Sequence, residues 1–512
     1  MKTHLINYWS ILSLALCSFT SSKPDLSFQT QKYVSQTLTY EGKTFTVRAY
    51  ENIIYVANPV DTAYQKMNIY IPEEYFSGKK VNGYTAETAP IFFPNKIGGY
   101  MPAQPATLKE MPMGGMGGNR PPMNGMPPMG DRRPEAAPAM TQAKPSTVVA
   151  ALAKGYVVAS AGARGRTLKA SNGEYTGKAP AGIVDLKAAV RYLKFNDNRM
   201  PGDANKIVSN GTSAGGAMSA LVGATGNNPD YEPYLKALGA ANGTDDVFAV
   251  SAYCPITNLD HADMAYEWQF NGINTYKKGW PAPAKNSDPA SVLSDEQMKV
   301  SAQLKTLFPA YINSLNLKDA KGKSLTMDTD GNGSFKELVI SYVIASAQKA
   351  MDTGKDMTAY SFLKIAENKV ISLDFAAYLN YMERMKTPPA FDALDLSTGE
   401  NMLFGSATVD KQHFTEFGQN NTKTEASSVE GKFVKMMNPM YYIGQENTTN
   451  AKHWRVRHGS KDKDTSLAIS VILTTALQNK GIDANLEFPW DKPHSGDYDL
   501  DELFTWIDGL CK

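Results

Sequence analysis

Apolar and polar positions alternate along residues 30–70, in YVSQTLTY, KTFTVRAY, NIIYVAN and KMNIYIP. A period of two belongs to half-buried strands, so this region predicts the antiparallel start of a sheet. APIFFPN (Ala89–Asn95) predicts a further strand, running into Ile97-Gly98-Gly99-Tyr100. Beyond residue 145 strands and helices alternate. TVVAALAKGY predicts a helix and YVVASAGARG a buried strand. GIVDLKAAVRYLKFN puts Ile183, Leu186, Val190 and Leu193 near one helical face. KIVSNG, SAGGAMSALVGAT and DVFAVSAYCPI then read as strand, helix and strand. From about Asn258 to Met437 this rhythm stops. Helical segments take over (DEQMKVSAQLKTLFPAYINSL, SFKELVISYVIASAQKAMDTG, ISLDFAAYLNYMERM). The rhythm returns in HWRVRHGSKDKD, a strand and turn, TSLAISVILTTALQNKG, a helix, ANLEFPW, a strand, and DLDELFTWIDGLCK, a last helix. The predicted class is α/β: a mostly parallel sheet with helices on both faces and a large, mostly helical lid inserted late in the chain.

The division that follows is a core in two parts, residues 23–257 and 438–512, around a lid at 258–437. Glu110–Met140 is Met, Gly and Pro in low complexity and cannot build a packed core. It reads as a flexible surface insertion in preference to a methionine-rich metal site. Residues 1–22, MKTHLINYWSILSLALCSFTSS, have an early lysine, a short apolar run and a small polar end. They predict a signal peptide and an exported protein, and Leu16 is bulky for a neighbour of a lipid-bearing Cys17. No later stretch is long and apolar enough for a membrane span. Of 512 residues 42% are hydrophobic, and 52 basic against 51 acidic residues leave a net charge of +1, which gives no reason to expect nucleic acid as a partner. After the leader only Cys254 and Cys511 remain, too few for a disulfide framework, and whether they pair is left open.

Gly211-Thr212-Ser213-Ala214-Gly215 follows a predicted strand and opens a predicted helix. That context holds a serine oxygen exposed on a sharp turn, with the Ala214 amide at the helix start facing a developing oxyanion. A tight turn alone also favours small residues, so the other members of a triad must decide. A second amide is expected from the loop after an earlier strand, and Gly99, in preference to Gly98, supplies it. The base expected is His494 in DKPHSGDYD, between a late strand and the last helix. His453 and His458 flank a strand and read as packing or loop residues, and His261 and His413 fall in the lid. RHGSKDKD offers Asp462 and Asp464 as the orienting acid, and either alone also reads as a turn or helix-capping residue. Serine, acid and histidine then fall in hydrolase order, each after a predicted strand.

VSNGTSAGGAMSALVGATG, RHGSKDKDT, PHSGDYD and MKTPPAFDALDLSTGENMLFG together resemble the bacterial tannases, α/β-hydrolases with a large lid that cleave galloyl esters. The likeness runs from about Tyr64 to the C-terminus, interrupted by the Met-rich insertion. It implies Ser213 as nucleophile, His494 as base and Asp462 as its acid. It also implies that Asp464, Lys386 and Glu400 contact the galloyl hydroxyls and that Ile256 packs on the ring. Gly399 departs from the pattern, standing where a bulkier partner for the other ring face is expected. Fungal tannases and many feruloyl esterases carry cysteines beside the serine and histidine. Here the neighbours are Thr212 and Pro493, which excludes that disulfide-linked form. Carboxylates accept from vicinal hydroxyls and a lysine donates to one, so the implied set suits a trihydroxylated ring. Without the resemblance Lys386 and Glu400 would read as solvated surface charges.

The expected function is a serine esterase releasing gallic acid from a small aromatic ester, with no cofactor required. The alternatives are an esterase for other hydroxylated aromatic acids, feruloyl or protocatechuoyl, and a non-catalytic binding protein on a hydrolase scaffold. Asp328-Thr329-Asp330-Gly331-Asn332-Gly333-Ser334-Phe335 matches the first eight positions of a calcium loop, which makes Asp328, Asp330 and Asn332 candidate metal ligands. Position twelve is Val339 in place of glutamate. Helix-capping turn chemistry accounts for the same residues and is the preferred reading.

Overall fold

A computed structural model describes residues 25–109, 146–277 and 290–512. The predicted leader and the Met-rich insertion lie outside the described residues. Nine strands form one sheet: β1 (Val34–Tyr40), β2 (Lys43–Ile54), β3 (Lys66–Pro72), β4 (Pro90–Pro94), β5 (Val157–Ala161), β6 (Asp203–Thr212), β7 (Ala249–Tyr253), β8 (His453–Arg457) and β9 (Asp483–Glu487). Their order is β1-β2-β3-β5-β4-β6-β7-β8-β9. The pairings up to β3–β5 are antiparallel, and from β5 onward all are parallel. The sequence pattern explains this change of character. The β1 strand is largely exposed, with alternating residues, whereas β4, β5 and β7 are buried along their whole length. Parallel strands covered on both faces read as continuous apolar runs. KTFTVRAY and NIIYVAN, expected as separate strands, are mostly one: β2 continues through a register shift between Tyr50 and Ile53, where Asn52 has a φ of 61°.

Helices Ala181–Phe195, Ala214–Ala224, Leu467–Asn479 and Leu500–Cys511 pack on this sheet, each with its apolar side buried. The chain between β7 and β8 carries helices Leu259–Phe270, Asp295–Ser314, Ser334–Asp352 and Phe375–Met382. It also carries a hairpin, Leu363–Ala366 with Lys369–Leu373, so the Ile371-Ser372-Leu373 expected in a helix is strand. Asp374 ends that strand and caps the next helix by accepting from the Ala377 amide. Trp268, Phe308 and Phe335 meet with ring centroids 5.2–6.4 Å apart and fasten three of these helices together. One apolar core runs through both the sheet layers and this insertion. No helix among the described residues is long and apolar enough to cross a membrane.

The Asp328–Gly333 loop belongs to that aromatic junction. Trp268 donates its indole N–H to the Gly331 carbonyl at 2.9 Å. Asp328 accepts the amides of Asp330 and Asn332, Asn332 accepts from Lys336, and Val339 is buried in the core. The loop's own hydrogen bonds thus employ two of the three residues that matched a calcium loop.

Candidate active site

Ser213 sits between the end of β6 and the first turn of helix Ala214–Ala224, with φ 63° and ψ −126°. A non-glycine residue in that region is strained, and the surroundings hold it there. The Ser213 amide donates to Tyr253 O on β7 at 2.9 Å, and its carbonyl accepts from Ile256. Only glycine fits at 215, because a Cβ there would lie 2.7 Å from Asn95 Oδ1 and 2.8 Å from Ile97 O. That contact brings the 97–100 loop against the serine turn. Gly99 and Tyr100 both have left-handed φ values, 53° and 56°. The buried Tyr100 hydroxyl donates to Ile256 O at 2.7 Å, so this loop and Ile256 are tied together.

His494 Nδ1 bonds Asp462 Oδ2 at 2.7 Å, and Asp462 Oδ1 accepts the Asp464 amide at 2.8 Å. The imidazole's other nitrogen, Nε2, is buried without a hydrogen-bond partner among the described residues. Burial lowers the basicity of His494, but the charges of Asp462 and Asp464 outweigh it and hold its pKa well above the ordinary histidine value. The converse holds for Asp462, where burial favours the acid form and His494 overcomes it, so the pKa lies well below the usual carboxylate range. The loop carrying His494 is keyed to the serine turn. A Cβ on Gly496 would lie 1.9 Å from Thr212 Oγ1, and Asp497 accepts from Asn210 at 3.0 Å.

Asp464, Lys386 and Glu400 converge on the same site. Lys386 Nζ is 2.7 Å from Asp464 Oδ1 and lies 4.0 Å over the Phe391 ring. Burial opposes charge on Lys386, yet Asp464 and Glu400 raise its pKa above the ordinary value. Burial also opposes charge on Asp464, and there Lys386 wins, lowering the carboxyl. For Glu400 burial prevails over Lys386 and the pKa is raised. The three therefore feel one another, with one cation shared between two carboxyls.

Several residues that frame this site carried no signal in the sequence pattern. Tyr266 OH accepts the Lys386 amide and donates to Lys463 O, both at 3.0 Å, joining the two charged loops. Arg384 is buried against Glu267 and donates to Lys386 O at 2.6 Å. Arg166 donates to Gly99 O at 2.8 Å and lies beside Gly399. Cys254 directly follows β7, and its place after a predicted strand is the one signal the sequence held for it. Its thiol is 3.4 Å from Ser495 O and is pushed up to about 11, first by burial and then by Asp462. Among the described residues Cys254, Asp462 and His494 are the one grouping with metal-ligand atoms all within 4.8 Å of one another. Cys254 and Cys511 are both free. His458, expected as a packing residue, is buried with Nδ1 on Ser470 at 2.8 Å and Nε2 3.5 Å from Asp462 Oδ2. Burial pulls its pKa down to about 4, so it faces the aspartate as a neutral ring.

Residues 135–313 match a family model described as BD-FAE. Esterase LipC of Mycobacterium tuberculosis (strain ATCC 25618 / H37Rv) is 38% identical over 71 residues, 14% of this chain, and the match spans only 17% of that relative's length. Similarity to solved structures is far more extensive. The tannin acyl hydrolase from Lactobacillus plantarum is 44% identical with a TM-score of 0.86, over 95% of this chain and 99% of that one. The tannase of Fusobacterium nucleatum is 48% identical with a TM-score of 0.86, over 95% and 100%. A tannin acyl hydrolase in complex with ethyl gallate is 44% identical with a TM-score of 0.85, over 95% and 99%.

Proposed function

The chain belongs to the tannase family, within the α/β-hydrolases, and from that premise we propose that it hydrolyses galloyl esters to gallic acid and alcohol through an acyl-enzyme on Ser213. The carboxylic ester hydrolase class follows from the family. The observation that carries the galloyl reading is the joining of Lys386, Asp464 and Glu400 at one site with the Asp462–His494 pair. A ring with three adjacent hydroxyls offers donors to both carboxyls and an acceptor to the ammonium. An acyl group lacking them leaves these charges poorly satisfied, which is how such a site rejects it.

In the proposed reaction Ser213 Oγ attacks the ester carbonyl while His494 Nε2 takes the hydroxyl proton. Asp462 holds the imidazole by Nδ1 and stabilises its cation. The amides of Ala214 and Gly99 donate to the oxyanion. Collapse of the tetrahedral intermediate breaks the ester C–O bond, and His494 returns the proton to the leaving alcohol. Water then attacks the acyl carbonyl while giving a proton to the same nitrogen, and collapse breaks the bond to Ser213 Oγ, which takes that proton back as the acid leaves. Every acid, base and oxyanion donor in this sequence belongs to the chain, so treatment with a chelator is expected to leave kcat/KM unchanged.

The deciding experiment is incubation with methyl gallate and chromatography of the products. Gallic acid and methanol in equal amounts support the reading. Turnover of short acyl esters with none of methyl gallate overturns it and leaves a general esterase. Export is part of the same proposal: a mature N-terminus near Ser21 or Ser22 supports the leader, and exported material starting at Met1 overturns it.

A further inference from the structure

Gly399 opens the short helix that carries Glu400, and the space where its side chain would stand is filled. A Cβ built on Gly399 would lie 2.9 Å from both Cζ and Nη2 of Arg166 and 3.2 Å from Nε. The guanidinium therefore stands where a side chain at 399 would stand. It is held there from two directions. Nε donates to Gly99 O at 2.8 Å, in the loop against the serine turn, and Nη1 contacts Met402 Sδ at 3.2 Å, on the short helix that carries Glu400. The Arg166 amide donates to Tyr100 O at 3.0 Å, so backbone and side chain both grip the same loop.

This cation is incompletely compensated. Burial pulls its pKa below the ordinary arginine value, and the attraction of Glu400 and Asp410 does not make up the difference. A guanidinium so placed gains from a ligand that offers electron density on a flat face. A benzoyl ring bearing hydroxyls is such a ligand, since each hydroxyl feeds density into the ring.

We propose that Arg166 is a specificity-determining residue, lining the acyl site between the Gly99 loop and the Glu400 helix with its guanidinium against the hydroxylated ring. The inference rests on the galloyl reading and goes beyond it by naming what lines the acyl site there. It also gives a side chain at 399 a defined consequence: a Cβ there presses on the guanidinium, which must move.

The test compares kcat/KM for methyl gallate with that for p-nitrophenyl acetate, whose acyl group has no ring. In Arg166→Met the ratio of the two is expected to fall about tenfold, as loss of a desolvated cation–ring contact implies. Gly399→Ala is expected to lower the same ratio by displacing the guanidinium. The double variant should be no worse than Arg166→Met, because both changes remove one contact. Equal losses on both esters would make Arg166 merely an anchor of the Gly99 loop and overturn the proposal, and so would additive losses in the double variant. An unchanged ratio in Arg166→Met overturns it too. Thermal melting of each variant separates these outcomes from misfolding. Failure of the galloyl reading itself shows in the unaltered protein, which would then release no gallic acid, so the two failures are distinguishable.

Discussion

Two of the histidine–aspartate pairs among the described residues have the same bond length. His494 Nδ1 meets Asp462 at 2.7 Å, and His413 Nδ1 meets Asp392 at 2.7 Å. The second pair even has a hydroxyl on its far nitrogen, Thr422 Oγ1 at 3.0 Å, which makes a serine-triad-like series of threonine, histidine and aspartate. The surroundings are what differ. Asp392 also accepts from Asn401, from the amides of Phe414 and Thr415 and from the Thr415 hydroxyl, and both it and His413 are fully buried. Every polar atom there is spoken for, so the pair is a clamp that fixes the insertion under the Glu400 helix. His494 is partly exposed, and its Nε2 has no hydrogen-bond partner among the described residues. An unsatisfied nitrogen on a loop packed against the turn of a strained serine is costly to folding and useful to chemistry. A histidine–acid bond alone identifies neither role. The state of the second nitrogen separates them.

The largest effect that would break this contrast is on the His494 side. Ser213→Ala and His494→Ala are each expected to lower kcat on the order of 10⁴-fold or more, and the double variant should be no worse than either, since the residues act as a unit. Single-turnover and steady-state rates on methyl gallate check this. Additive losses would mean the two do not share a step. His413→Ala should behave in the opposite way. It leaves Asp392 short of a donor in a buried place, which costs about 2–3 kcal/mol of stability. Denaturant unfolding measures that cost, and a loss of kcat in fully folded protein as large as that of His494→Ala would erase the distinction.

Asp464→Asn sharpens the picture inside the site. Loss of the charged acceptor is expected to cost roughly 1.5–3 kcal/mol, about ten- to a hundredfold in kcat/KM, on methyl gallate. The ratio of that rate to the rate on an unhydroxylated ester should fall accordingly. Equal losses on both substrates would assign Asp464 to support of the fold. The smallest predicted effect is on pH. His494 must be neutral to accept a proton, so kcat/KM drops on the acid side through its pKa, which Asp462 and Asp464 raise. Removing the Asp464 charge takes away part of that rise. The acid limb of the profile should therefore move to lower pH, and a move to higher pH would show that Asp464 does not act on the histidine.

Much of the scaffold was readable because it is periodic. The turn of sheet character at β5, the serine between strand and helix, and His494 before the last helix all follow from runs and breaks of apolar residues. Lys386 and Glu400 came only through resemblance, since nothing local marks either as half-buried beside the other. Arg166, Tyr266 and Arg384 were invisible for a related reason. Each gains its role from a partner on a distant element: Gly99 for Arg166, Lys463 for Tyr266, Glu267 for Arg384. The hairpin before Asp374 escaped because strands of four and five residues give too few alternations to be told from a helix end. His413 could be placed in the insertion but its clamp could not be seen, because its Asp392 partner is not related to it by any helical or strand spacing.

The fit of Gly496 onto Thr212 also constrains inheritance. With only 1.9 Å between a prospective Cβ and the threonine oxygen, no single replacement at 496 is accommodated while 212 stays as it is. A lineage could enlarge 496 only after shrinking or reshaping 212, or by letting the histidine loop drift from the serine, which selection for turnover opposes. Two positions far apart in the gene are thereby expected to vary as a pair. In this chain neither neighbour of the serine and histidine, Thr212 or Pro493, is a cysteine that could close the junction by a covalent bond. Here it is closed by shape, and the record of that choice should be legible as correlated change at 212 and 496 wherever the sequence diverges.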